Sequence, residues 1–226
     1  MSFIRFAWNW LKAPAQWHGP NDIPARILQH LGYSGLSLLV AALIAVPAGI
    51  WIGHTGRGGV VVVNIANAWR AIPTLGLLVL MLTFLGFSRL TWLIPLVVLA
   101  IPPILVNAYE GVAGVDPGLR DAARGMGMTG WQSVRKVELP VALPLIMLGL
   151  RTGAIFVVAT ATIAAEIGLG GLGPYILGGL SQSNYAEVAG GAVLVVLLAL
   201  LVQVIFVILR FLVVPAPLRI QARNDG

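Results

Sequence analysis

The sequence predicts an all-α membrane protein with about five transmembrane helices. Three observations carry this prediction. Of 226 residues, 58% are hydrophobic and only 10% charged, where a soluble domain of ordinary composition has about 25% charged. The mean hydropathy is +0.93, so there is too little polar surface to cover a water-facing globule. The apolar residues also gather into runs long enough for a hydrocarbon core of about 30 Å, which takes roughly 20 residues of helix.

In chain order, residues 1–27 read as an N-terminal interfacial segment. Phe3 to Lys12, FIRFAWNWLK, has the pattern of a short amphipathic helix on the membrane surface, with Trp8 and Trp10 expected at headgroup level. The first 30 residues hold no long apolar run, so no cleavable signal peptide is expected. The stretch 27–56 lacks Asp, Glu, Lys and Arg, and its apolar centre, Leu36 to Ile52, is the first span. The second runs from about Gly59 to Gly86 and is interrupted by Arg70. Leu90 to about Tyr109 is the third, and about Pro140 to Ala165, interrupted by Arg151, the fourth. Val188 to Leu209 is the fifth, an uncharged run of Val and Leu, and 213–226 follow as a tail. The segment EIGLGGLGPYILGGLSQSNYAE, Glu166 to Glu187, is expected to be re-entrant or superficial and not a sixth span. Many Gly and Pro fall in or near the spans. They suit bent helices around a pathway, and equally the ordinary composition of membrane helices.

Five spans put the termini on opposite sides. With the 110–137 loop inside, Arg57, Arg120, Arg124, Arg135, Lys136, Arg210, Arg219 and Arg223 are cytoplasmic, and Arg5, Lys12, Arg26 and Arg89 are outside. Eight against four favours the N-terminus outside and the C-terminus in the cytoplasm.

Several chemistries are excluded. Without cysteine there is no disulfide, thiolate metal site or thiol nucleophile. His18, His30 and His54 are not spaced as zinc ligands on one helix face. The net charge of +6 comes from scattered single residues, not from a nucleic-acid-binding patch. Neither paired carboxylates nor a nucleophile motif indicate an enzyme.

The longest polar segment, Gly111 to Pro140, carries its own local structure. Asp116 and Pro117 form an N-cap and first-turn pair for a short helix through Leu119, Ala122, Ala123 and Met126, stopping at Gly127. Thr129 and Gln132 have capping-box spacing and start a second short helix. Pro140 suits the first turn of the fourth span.

Asp121, Ala122, Ala123, Gly127, Val137, Leu139 and Pro140 have the spacing D-A-A-x3-G-x9-V-x-L-P. This resembles the EAA loop of binding-protein-dependent ABC importer permeases, E-A-A-x3-G-x9-I-x-L-P, with Asp for Glu and Val for Ile. The segments Asn107 to Thr129, RAIPTLGLL at Arg70 to Leu78, GLRTG at Gly149 to Gly153 and AEIGLGGLG at Ala165 to Gly173 are similar to the osmoprotectant branch of that family. That branch carries glycine betaine, choline and carnitine. The resemblance implies a type I, methionine-permease-like ABC transmembrane domain over 28–212, with a coupling loop at 116–137, in a bacterial plasma (inner) membrane. It implies that Asp121, Ala122, Ala123, Gly127, Leu139 and Pro140 serve coupling to an ATP-binding subunit. A second permease, identical or paralogous, and an extracytoplasmic substrate-binding protein are the other partners implied. The rival readings are a permease for amino acids, methionine or another small zwitterion, and a nucleotide-independent channel.

An ATP phosphate loop needs G-x-x-x-x-G-K-[ST], yet Lys12 and Lys136, the two lysines, follow Leu11 and Arg135. The chain itself is therefore expected to hold no cofactor, with ATP on the partner. Arg70 and Arg151 sit some ten residues into their spans, where charge is costly unless it faces a bundle interior or water. They either line the pathway or pair structurally, for instance with Glu110 or Glu166. Pro73, Thr74 and Tyr109 are further pathway candidates. Trp51, Trp69, Trp92, Tyr109 and Phe156 offer faces for a quaternary ammonium group, or else pack and anchor.

Overall fold

The structure, a computed structural model, describes residues 3–69, 71–164, 168 and 170–214. Among these, every regular element is helical. Helix α1 (Phe3–Lys12) is followed by a 3-10 turn at Pro14–Gln16 and by α2 (Ile23–Thr55), α3 (Gly59–Trp69), α4 (Thr74–Leu85) and α5 (Arg89–Ala113). After these come α6 (Pro117–Gly125), α7 (Gly130–Ser133), a π turn at Val134–Glu138, α8 (Leu139–Ile163), α9 (Gly173–Ser181) and α10 (Tyr185–Val213). Arg70, Glu166 and residues 215–226 of the expected tail lie outside the described residues.

Four helices are long and apolar enough to cross a membrane: Ile23–Thr55, Arg89–Ala113, Gly130–Ile163 and Tyr185–Val213. The second expected span is different, for it comprises two short helices, α3 and α4, neither long enough to cross alone. Pro73 lacks an N–H and biases its predecessor away from the helical region. It stands just before α4 in extended conformation, with φ −66° and ψ 120°. The fourth span also begins earlier than Pro140, because α7, the π turn and α8 run on as one 34-residue helix, Gly130–Ile163. The ring of Pro140 would press on the carbonyl four residues back, that of Lys136. Widening the turn, with the Leu139 N–H bonded to the Val134 carbonyl, moves that carbonyl aside and lets the helix continue. Helix α9 has nine residues and is too short to span, as expected for Glu166 to Glu187.

The chain divides into two compact units. The first comprises Met1–Leu39, Ile72–Ala100 and Ala154–Gln203. Leu78 and Ala164 are buried there among Tyr33, Leu82, Trp92 and Ile163. Helix α1 docks in this unit through Trp10, which is buried edge-on to Tyr175 with ring centroids 4.9 Å apart. A Cβ at Gly190 would collide with the Trp10 ring, so the bare glycine backbone makes its seat. Trp10 therefore packs within the protein and is not a headgroup anchor. Trp8 stays exposed, with the Lys12 ammonium 4.4 Å from its ring centroid.

The second unit comprises Val40–Ala71, Ile101–Gly153 and Val204–Gly226. Its core holds Ala108, Val112, Ala142 and Ile146, flanked by Val46, Ile50, Leu139 and Leu150. Gly49 and Gly53, one helical turn apart on α2, meet α5 almost backbone to backbone. A Cβ at Gly49 would lie 2.6 Å from Ala108 Cβ, and one at Gly53 2.7 Å from Val112 Cβ. Small residues four apart are the usual means of such close approach between membrane helices.

Candidate functional site

The loop between α5 and α8 lies in the second unit and is built by local rules. Asp116 caps α6, its Oδ1 accepting the Leu119 N–H at 3.2 Å, and Pro117 fills the first turn. The helix ends in a Schellman motif: the Gly127 N–H bonds to the Arg124 carbonyl at 2.9 Å and the Met128 N–H to the Ala123 carbonyl at 3.1 Å. Gly127 takes the left-handed conformation this motif needs, φ +76°. A capping box starts α7, with the Thr129 N–H bonded to Gln132 Oε1 at 2.8 Å and the Gln132 N–H to Thr129 Oγ1 at 3.4 Å. The elbow is therefore helix, glycine, helix.

Its two faces differ. Ala123 is fully buried and Val134 nearly so, while Leu119, Met126 and Trp131 are exposed. These three are large apolar side chains on an otherwise polar elbow. Asp121 and Ala122 are exposed as well, and Asp121 stands 3.5 Å from Arg124 as a surface pair that contributes little to stability. Leu139 and Pro140 are partly buried at the start of α8.

Behind the elbow is a polar cluster that the sequence reading omits. Glu138, in the π turn, is 1% exposed. Its carboxylate accepts from His54 Nδ1, 2.9 Å from Oε2 and 3.0 Å from Oε1, and from Ser133 Oγ at 3.1 Å. Arg120 Nε stands 3.9 Å from Oε1, and its Nη2 donates to the Val112 carbonyl. Burying a carboxylate costs several kcal/mol unless it is paired and hydrogen-bonded, and here both conditions hold. A cavity of about 170 Å³ opens beside it, lined by His54, Arg120, Arg124, Met128, Ser133 and Glu138. No group of three or more His, Cys, Asp or Glu able to hold a metal ion occurs among the described residues.

The pathway candidates are distributed over both units. Pro73 and Thr74, at the break before α4, belong to the first. Tyr109 and Arg151 belong to the second, both partly buried. The Tyr109 ring lies over Gly59, where any Cβ would strike it, so this aromatic is occupied in packing. Trp92 packs on Tyr33 at 4.7 Å between centroids, and Trp51 and Phe156 are exposed.

A second polar cluster, in the first unit, secures the glycine-rich turn before α9. Buried His30 accepts the Leu172 N–H on Nδ1 at 3.3 Å, so its proton is on Nε2, which donates to the Val158 carbonyl at 2.9 Å. Gln29 Oε1 accepts the Gly171 N–H, Arg26 Nη1 donates to the Gly171 carbonyl, and the Arg26 guanidinium lies 4.8 Å from the centroid of the Tyr175 ring. Burial pushes the Tyr175 phenol above its ordinary pKa, against the opposing pull of Arg26, and its hydroxyl donates to the Asn21 carbonyl.

The chain is similar to known proteins. Residues 45–218 match the family of binding-protein-dependent transport system inner membrane components. The glycine betaine/carnitine/choline transport system permease protein OpuCB of Bacillus subtilis (strain 168) is 35% identical over 191 residues, 84% of this chain and 88% of its own. The carnitine transport permease protein OpuCB of Listeria monocytogenes is 37% identical over 198 residues, 88% and 90% of the two chains. The osmoprotectant import permease protein OsmW of Salmonella typhimurium is 33% identical over 84% of this chain and 91% of its own. Among solved structures, an inward-facing MetNI methionine ABC transporter superposes with a TM-score of 0.75 at 26% identity, covering 90% of this chain and all of that one.

Proposed function

This chain belongs to the family of binding-protein-dependent transport system inner membrane components, and on that premise we propose that it forms the translocation pathway of an ATP-driven importer of quaternary-amine compatible solutes such as glycine betaine, choline and carnitine. It is an integral membrane permease subunit with the type I importer fold. The solute class is supported by the relatives that cover more than four fifths of the chain and are named for those solutes.

The observation that carries the mechanism is the capped elbow at 117–133, which is continuous with a 34-residue helix. An ATP-binding subunit docks on Leu119, Met126 and Trp131, with Asp121 and Ala122 beside them; Ala123 and Gly127 hold the elbow's shape, and Leu139 and Pro140 join it to the span. ATP stays on that subunit. Its closure displaces the elbow and tilts Gly130–Ile163, and hydrolysis restores the inward-facing state. Such a switch requires two packings that differ by a few kcal/mol. The elbow then faces the cytoplasm of a bacterium, with the N-terminus outside the inner membrane and the C-terminus within. A second permease, identical or paralogous, completes the pathway; Arg70, Pro73, Thr74 and Arg151 are proposed to serve transport, whereas Tyr109 is taken up by packing against Gly59. An extracytoplasmic binding protein delivers solute near α9.

The test is reconstitution of the permease with its ATPase and binding protein in proteoliposomes loaded with ATP. Accumulation of labelled glycine betaine, choline or carnitine that stops when ATP is omitted is the expected result. Accumulation of methionine or another amino acid in their place, or solute flux without ATP, overturns the reading.

A further inference from the structure

We propose that Glu138 is a positioning residue of the coupling step, tying the cytoplasmic end of α2 to the elbow so that a displacement of 117–133 reaches α2 as well as α8. The proposal rests on the importer reading above. It starts from three side chains brought from separate elements to the Glu138 carboxylate in the π turn: His54 in the last turn of α2, Arg120 on α6 and Ser133 on α7. His54 and Glu138 are 84 residues apart in the chain.

The link is a stiff one. The carboxylate is 1% exposed and accepts from two donors at 2.9–3.1 Å, and hydrogen bonds to a charged, desolvated group are among the stronger ones. The other edge of the imidazole faces Gly130, where a Cβ would come within 3.3 Å of His54 Nε2. His54 is thus held between the first residue of α7 and the π turn. By contrast, the backbone leaving α2 passes into the turn Gly56–Arg57–Gly58, which transmits little force. The π winding is part of the device. An extra residue per turn changes the azimuth of Glu138 against the rest of the helix by about 100°, and the observed azimuth is the one that buries it beside His54.

The experiment uses the complete importer in proteoliposomes and measures solute imported per ATP hydrolysed. His54→Leu removes the donor to Glu138 and is expected to lower this ratio at least about fivefold, the lower end of ordinary coupling energies, with the ATPase still bound and hydrolysing. His54→Asn places an amide N–H near the Nδ1 position and is expected to restore the ratio; Glu138→Leu, which removes the acceptor, behaves like His54→Leu. A purely structural role lowers assembly, hydrolysis and uptake together at an unchanged ratio, and that outcome overturns the proposal. A second measurement leaves the cluster intact. The chain has no cysteine, so spin labels on cysteines replacing exposed Thr55 and Lys136 report the α2-to-elbow distance. That distance is expected to change by no more than about 2 Å through the ATP cycle, the scale of a helix shift; a larger change overturns the proposal even where the His54 variants fail to assemble. Absence of ATP-driven uptake by the unaltered importer counts against the importer reading instead.

Discussion

His54 and Glu138 face each other with Nδ1 2.9 Å from Oε2, joining the last turn of one long helix to the π turn within another. Glu138 is buried and His54 has 28% of its side chain exposed. The pair thus stands where the polar elbow meets apolar helix, as expected of a contact that fixes one against the other. The predictions below concern the surroundings of this contact and the second polar cluster.

Gly127→Ala is expected to destabilise the elbow by about 1 kcal/mol, because a left-handed residue with a Cβ carries a backbone penalty of that size. The space around Gly127 is open, so the loss is conformational and not steric. Gly127→Asn, which tolerates this conformation better, loses less. Hydrogen exchange of the Gly127 and Met128 amides measures both.

Trp131→Asp is expected to release the ATP-binding subunit while leaving thermal unfolding of the isolated permease unchanged, since Trp131 is 71% exposed. A central aromatic anchor is worth about 2 kcal/mol or more in an interface, roughly a thirtyfold loss of affinity. Titration of the purified ATPase onto detergent-solubilised variant reads it directly; unchanged affinity places the docking surface elsewhere.

Gly49→Ala and Gly53→Ala are each expected to lower stability by about 1–3 kcal/mol, the usual cost of forcing extra volume into a packed site. The obstruction at Gly49 includes the Leu105 carbonyl at 2.8 Å and the Tyr109 amide nitrogen at 2.9 Å. These backbone atoms cannot turn away as a side chain could. Thermal unfolding in detergent should show the drop, whereas alanine at Gly32, inside α2 with open surroundings, should raise stability by up to about 1 kcal/mol and serves as the control.

His30→Ala is expected to cost about 1–3 kcal/mol by leaving the Leu172 N–H without its acceptor. The sign at the loop is specific: the Leu172 amide should exchange faster, while amides of α6, in the other unit, keep their rate. Equal acceleration at both would refute a local clamp.

Much of the fold is legible because it is local. The apolar runs give α2, α5, α8 and α10, and the pairs Asp116–Pro117 and Thr129–Gln132 announce their helix starts by spacing alone. The break before Pro73 is also a local signal, but the apolar length of 59–86 outweighs it when residues are counted as a single span. Pro140 marks a helix start by propensity, and only tertiary packing reveals that the helix passes through it. His54 lies 84 residues from Glu138, and Val158 128 residues from His30, and no periodicity joins such positions. A lone Glu next to Leu139–Pro140 and a GIWIG run at 49–53 are the signals that were available for the hub and for the α2–α5 contact.

The widened turn at Val134–Glu138 sets the phase between what lies before it and what lies after. One residue fewer there would restore ordinary winding and keep every remaining side chain, yet it would swing the 117–133 elbow by about a hundred degrees around the axis of the helix that follows it. Length in this short stretch is therefore worth more than composition, and a chain shortened by a single residue would turn exposed Leu119, Met126 and Trp131 toward another side of that axis.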